Sequence, residues 1–142
     1  VYKRQMYNLS HATINVAYNE GFGLTTLESV STETPVILSN TGGLRDQYNK
    51  DWCELVEPTT RVLVGTQQVP YLYTDICSVN DVVSAITAMY KQVNDIDMST
   101  KDIFLKKNKF TDIQMAESIK IAISRIVDNF KPKPQFRFEK VI

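Results

Sequence analysis

The chain has 142 residues, 43% of them apolar, and its 16 basic side chains balance its 16 acidic ones. That length and apolar content fit one domain with a buried core, and the zero net charge points to no polyanionic partner. Lys, Arg and aromatic residues are scattered instead of forming a stripe, so no nucleic-acid partner is expected. No run approaches the roughly 18 apolar residues of a membrane span, and the start of the chain has no signal-peptide pattern. A soluble, cytoplasmic protein is expected, with membrane association only through other parts of a longer protein. Cys53 and Cys77 are far apart and lack nearby histidines. Such a pair suits buried, reduced thiols better than a disulfide framework or a zinc site.

In chain order, residues Val1 to Leu9 read as the end of a helix with Tyr2, Met6 and Leu9 on one face. Thr13 to Tyr18 is rich in strand formers and is followed by Gly21 and Gly23. A helix is expected from Thr25 or Thr26 to Thr32. Pro35 then opens a second strand, Val36-Ile37-Leu38, which runs into the loop Ser39 to Gly43. Leu44 to Tyr48 suggests a short helix, and Glu54-Leu55-Val56 a third strand. This alternation predicts an α/β fold with a Rossmann-like parallel sheet and flanking helices. Val62-Leu63-Val64 and Tyr71-Leu72-Tyr73 can pair as a hairpin across residues 65–70. Ser78 and Asp81 form a capping box for a helix with Val82, Ile86, Met89, Tyr90 and Val93 on its inner face. Another helix covers Lys101 to Lys107. Thr111 caps a long C-terminal helix, 111–130, with Ile113, Ala116, Ile119, Ile123, Ile126, Val127 and Phe130 turned inward. Lys131-Pro132-Lys133-Pro134 should end it, because proline cannot continue the hydrogen-bond ladder.

The segment Glu20-Gly21-Phe22-Gly23-Leu24-Thr25-Thr26-Leu27-Glu28 lies where a strand gives way to a helix. In a parallel sheet, that is the end at which ligands bind. Glycines let the backbone approach a ligand closely, and the first N–H groups of a helix attract phosphate. Thr25 and Thr26 add hydroxyls. Glu20 and Glu28 can flank one ligand and accept from sugar or ribose hydroxyls. The residues alone therefore predict a site for a ligand bearing phosphate and hydroxyls. They also allow a plainer reading, in which Thr25-x-x-Glu28 is a capping box, Glu20 a loop carboxylate and the glycines turn residues.

Glu20-Gly21-Phe22-Gly23-Leu24, then Leu27-Glu28, Thr34-Pro35-Val36-Ile37 and Gly42-Gly43-Leu44 resemble the signature of family 4 glycosyltransferases. Glu20 and Glu28 have the spacing of that family's E-x7-E element. The resemblance implies that residues 1–142 are part of the C-terminal, nucleotide-sugar-binding domain of a GT-B fold. It implies a retaining transfer from a nucleotide-sugar donor, with no cofactor and no metal ion. Glu20 would act at the reacting sugar, and the amides of Phe22, Gly23, Leu24 and Thr25, with Gly21, would hold sugar and diphosphate. Glu28 would accept from the ribose, while Gly42 and Gly43 would close the neighbouring wall. The basic residues that meet the diphosphate, most of the base pocket and the acceptor-binding N-terminal domain would all precede Val1. The fragment alone is therefore expected to be inactive.

Two departures stand out from the pattern the resemblance implies. Val16-Ala17 stands where the family often has Pro-Ser, and Glu33 where it often has Gly, so a changed turn is expected after the helix. Sugar-nucleotide epimerases and phosphorylases of the same fold, or a non-catalytic binding domain, are the alternatives. Asp95-Ile96-Asp97 has the form of a metal-binding D-x-D, but it follows a helix and is set aside. His11, the single histidine, sits at a helix-to-strand junction. Arg45 and Asp46 are expected either to pair on a helix surface or to reach the crevice. Lys106-Lys107-Asn108-Lys109 reads as a solvated face.

Overall fold

The computed structural model describes residues 2–131. The described residues fall into two compact units, one ending at Phe104 and the other starting at Leu105, and each is taken by itself. The first unit begins with helix α1 (Tyr2–Leu9), strand β1 (Thr13–Asn15), helix α2 (Leu24–Ser31) and strand β2 (Val36–Ser39). A 3₁₀ segment (Gly42–Gln47), strand β3 (Cys53–Val56) and the strands β4 (Thr60–Val64) and β5 (Leu72–Ile76) follow, then helix α3 (Val79–Gln92). Helix α4 (Lys101–Lys107) crosses the boundary, and the second unit contains α5 (Asp112–Asp128).

The sheet is parallel, in the order β1-β2-β3. Thr13, Ile14 and Asn15 stand opposite Val36, Ile37 and Leu38, and Val36 to Ser39 stand opposite Cys53 to Val56. All of β2 is buried, as expected for a central strand covered on both faces. Helices flank this sheet in a Rossmann-like arrangement. Ile37 and Val56 pack with Ala85 and Met89 of α3, and Leu38, Val30, Leu44 and Trp52 are buried almost completely. Each such side chain contributes about 1.5–3 kcal/mol through burial. The ring of Phe104 meets Trp52 edge to face at 5.4 Å. Cys53 and Cys77 are free thiols; Cys53 is buried, and burial pushes its pKa up to about 12.

β1 stops at Asn15, short of the expected Tyr18, because the next carbonyls leave the ladder for other donors. Ser39 Oγ donates to the Ala17 carbonyl at 3.0 Å, and the Asp75 amide donates to that of Tyr18 at 2.9 Å. The changed turn expected at Glu33 does not occur. Glu33 itself takes the left-handed conformation, φ 62°, in the place that glycine favours. The Glu33 amide bonds the Val30 carbonyl and the Thr34 amide that of Ser29, both at 3.0 Å, which is the Schellman pattern.

The hairpin forms as expected: β4 and β5 are antiparallel, with Leu63 opposite Tyr73 and Val64 opposite Leu72. Ser78 caps α3 by accepting from the Asp81 amide, and Thr111 caps α5 by accepting from that of Gln114. The inner face of α3 is shifted from the expected one. Ala85 and Met89 are buried with Val82 and Val93 beside them, whereas Ile86 and Tyr90 are exposed. The face of α1 carrying Tyr2, Met6 and Leu9 is also exposed.

For α5 the expectation of an inward face is corrected. No α5 residue is buried, and Ile113, Ile119, Ile123, Ile126, Val127 and Phe130 are all exposed. Helical spacing defines a face able to bury itself, but it does not supply a partner for that face. The helix ends at Asp128, where the Asn129 amide bonds the Arg125 carbonyl at 3.2 Å. Pro132 and Pro134, expected to stop it, lie outside the described residues.

Candidate functional site

The strand-to-helix loop from Val16 to Gly23 is held through its own carbonyls. Ala17 and Tyr18 are met as above, the Glu20 carbonyl accepts from the Gly43 amide at 2.9 Å, and that of Phe22 accepts from Gln47 Nε2. Asn19 Nδ2 adds a bond to the Tyr73 carbonyl at 3.2 Å. With these acceptors satisfied by the protein, donors remain at the start of α2. Gly23 is the N-cap, left-handed at φ 85° and without a side-chain cap. The Thr26 amide bonds the Gly23 carbonyl at 3.1 Å. The N–H groups of Gly23, Leu24 and Thr25 have no acceptor within the helix, as at any helix start.

This geometry removes the capping-box alternative for Thr25 and Glu28. Thr25 lies inside the helix, and its Oγ1 accepts from Asn15 Nδ2 at 3.1 Å. Thr26 is buried and accepts from the same amide at 3.3 Å. Glu28 instead joins α2 to α1: Lys3 Nζ lies 2.5 Å from its Oε2, and the Tyr7 hydroxyl donates to the same oxygen at 3.0 Å. Lys3 first, and then the Tyr7 hydroxyl, hold the Glu28 carboxyl below its usual pKa. The Tyr7 phenol is raised, by burial first and then by the carboxylate. Glu20 Oε1 accepts from the Phe22 amide at 3.4 Å, so one of the amides expected to face a ligand meets a carboxylate oxygen of its own loop. The bonds of the two glutamates thus lead to different partners.

Gly42 and Gly43 lie directly against the Glu20 loop. They are the surface on which the Glu20 loop rests. A β-carbon on Gly42, at φ 47°, would collide with the Glu20 carbonyl oxygen, and one on Gly43 with the carbonyl oxygen of Gly21. One on Gly23 would strike Leu44. A β-carbon on Gly21, by contrast, would meet nothing within 4 Å. Open space therefore lies on one side of this loop and close backbone contact on the other. Beside the start of α2 is a crevice of about 520 Å³ lined by Tyr7, Thr13, Asn15, Thr25 and Thr26 among others.

Sequence reasoning missed Lys3, Tyr7, Asn15, Gln47 and Asp75. Lys3 and Tyr7 carry a weak signal, four residues apart on one helix face. The others act over long separations that no local pattern marks. Gln47 is fully buried, with Nε2 on the Phe22 carbonyl and Oε1 without a partner. Arg45 does not pair with Asp46. Its Nη2 lies 3.7 Å from Asp75, and its Nε donates to the Asn40 carbonyl.

Asp97 accepts from the amide and hydroxyl of Ser99, both at 2.8 Å, and Ile96 packs against the core. His11 is exposed, as are Lys106, Lys107, Asn108 and Lys109. Among the described residues no three His, Cys, Asp or Glu side chains gather as metal ligands, and no helix is long and apolar enough to cross a membrane.

No curated protein matches the chain. Residues 2–63 do match the family model described as glycosyl transferases group 1, a stretch that holds α1, the parallel sheet, both glycine loops, Glu20 and Glu28, and the match supports a glycosyltransferase.

Proposed function

We propose that the Glu20–Glu28 segment binds a nucleotide-sugar donor for a retaining, hexosyltransferase-like enzyme. The observation that carries this reading is the helix start: its N–H groups stand beside a loop whose carbonyls are tied down and whose Gly21 side is open. Amide donors and the positive end of a helix dipole stabilise a diphosphate, and they also stabilise the charge that grows on it as it leaves. In this reading the amides of Phe22, Gly23, Leu24 and Thr25 hold sugar and diphosphate without a metal ion. Glu20 leaves the Phe22 amide when donor arrives and turns to the sugar hydroxyls. Glu28 receives the ribose hydroxyls, and because Lys3 and Tyr7 both fall on Oε2, its Oε1 is the oxygen for that role. Gly42 and Gly43 set the position of the loop. The acceptor is held by the N-terminal domain that the resemblance implies.

The test uses the full-length protein. Glu28→Ala should weaken nucleotide binding and Glu20→Ala should mainly lower transfer; equal binding and activity in both variants would refute those roles. NMR analysis of the product anomer tests retention, and an inverted product excludes it. Turnover of a nucleotide-sugar without acceptor would favour an epimerase instead.

A further inference from the structure

We propose that Asp75 is a positioning residue for the Val16–Gly23 loop, acting from the β4–β5 hairpin through Thr41 and the two glycines that follow it. Asp75 lies on β5 and is only 7% exposed. A carboxylate so placed needs close partners to offset its lost hydration. It has them: Arg61 Nε at 2.7 Å, Thr41 Oγ1 at 2.8 Å, Arg61 Nη2 at 3.5 Å and Arg45 Nη2 at 3.7 Å. Thr41 is itself buried and directly precedes Gly42 and Gly43, the surface under the Glu20 loop. The Asp75 amide also reaches the same loop, at the Tyr18 carbonyl. One residue therefore fastens the loop at its entry and fastens the surface on which it rests.

This arrangement explains why the hairpin belongs to the site although β4 and β5 add no strand to the parallel sheet. The Asp75 side chain sets Thr41, Thr41 sets the glycines, and the Gly43 amide sets the Glu20 carbonyl. The consequence for donor binding rests on the function proposed above; the mechanical role does not.

Two arms separate them. In the first, amide hydrogen exchange is followed by NMR on the ligand-free 142-residue chain, in wild type and in Asp75→Asn and Thr41→Val. Asp75→Asn keeps the shape of the side chain, and the two arginines it releases are half exposed, so no unpaired charge is buried. Exchange at the Gly43 amide should rise about tenfold in both variants, the equivalent of about 1.4 kcal/mol. The amides of β2 should not change. A merely structural role would instead raise exchange throughout, as core Met89→Ala should. A uniform rise, or an unchanged Gly43 amide, overturns the proposal. In the second arm, UDP-, GDP- and ADP-glucose are titrated into the full-length protein. Binding about tenfold weaker in Asp75→Asn supports the role. Wild-type affinity in that variant, with the Gly43 signature present, overturns the link to the donor. A wild type that binds none of the three, with that signature present, supports the positioning role and overturns the donor reading.

Discussion

Gly21 and Gly42 stand in the same candidate site, and alanine should have different effects at the two positions. At Gly42 a methyl group would be forced into the Glu20 carbonyl while φ is 47°. The left-handed backbone costs a non-glycine residue about 1 kcal/mol. Backbone displacement to relieve such a contact costs about 1–3 kcal/mol more. Gly42→Ala should therefore lose about 2–4 kcal/mol, which lowers the Tm of a chain this size by about 5–15 °C. At Gly21 nothing lies within 4 Å of the added carbon. Gly21→Ala should be neutral or slightly stabilising, within about 1 kcal/mol, because alanine restricts the unfolded chain. Paired urea and thermal unfolding of the two variants gives the answer. Equal losses, or a larger loss at Gly21, would refute this packing of the two loops.

Glu33→Gly should stabilise the chain by up to about 1 kcal/mol, since relief of the left-handed strain exceeds the extra freedom that glycine gives the unfolded chain. The exposed ion pair with Lys101 that it removes is worth a few tenths of that; a lower urea midpoint would contradict this. Ser78→Ala should cost about 1 kcal/mol by removing the cap of α3, read from the same midpoint. Four carboxyls have lowered pKa values: Glu28 beside Lys3, Asp75 beside Arg61, Asp81 on Ser78 and Asp97 on the Ser99 amide. A carboxyl lowered by folding adds stability above its unfolded value, and that stability is lost as pH falls through its folded value. The urea midpoint should hold down to about pH 4 and fall below it. A midpoint that rises on acidification would show the opposite sign.

Much of the fold could be read from short-range pattern. The run Val36-Ile37-Leu38 became the central strand, and the caps at Ser78 and Thr111 formed as their spacing implied. The hairpin could be read because alternating β-formers flank a turn. The face of α5 could not be judged the same way, because periodicity states which residues can be buried and not whether anything covers them. At the site, the Glu20–Glu28 segment was found where a strand meets a helix, but its mechanics were hidden. Thr25 and Glu28 look like a capping box in sequence, and only the position of Gly23 as N-cap shows otherwise. Asp75 and Thr41 are 34 residues apart, and Gln47 and Phe22 are 25 apart. Such pairings depend on how the hairpin and the 3₁₀ segment come to lie against the loop, which no local rule specifies.

Donor binding at the amides that open α2 can be observed by an NMR titration of the chain with UDP-, GDP- and ADP-glucose at millimolar concentration. One of them should shift the amides of Gly21 to Thr25, with Glu28 following, and Gly21→Ala should suppress the shift while the protein stays folded. Shifts confined to other regions, or a Gly21→Ala variant that responds like wild type, would contradict binding at those amides.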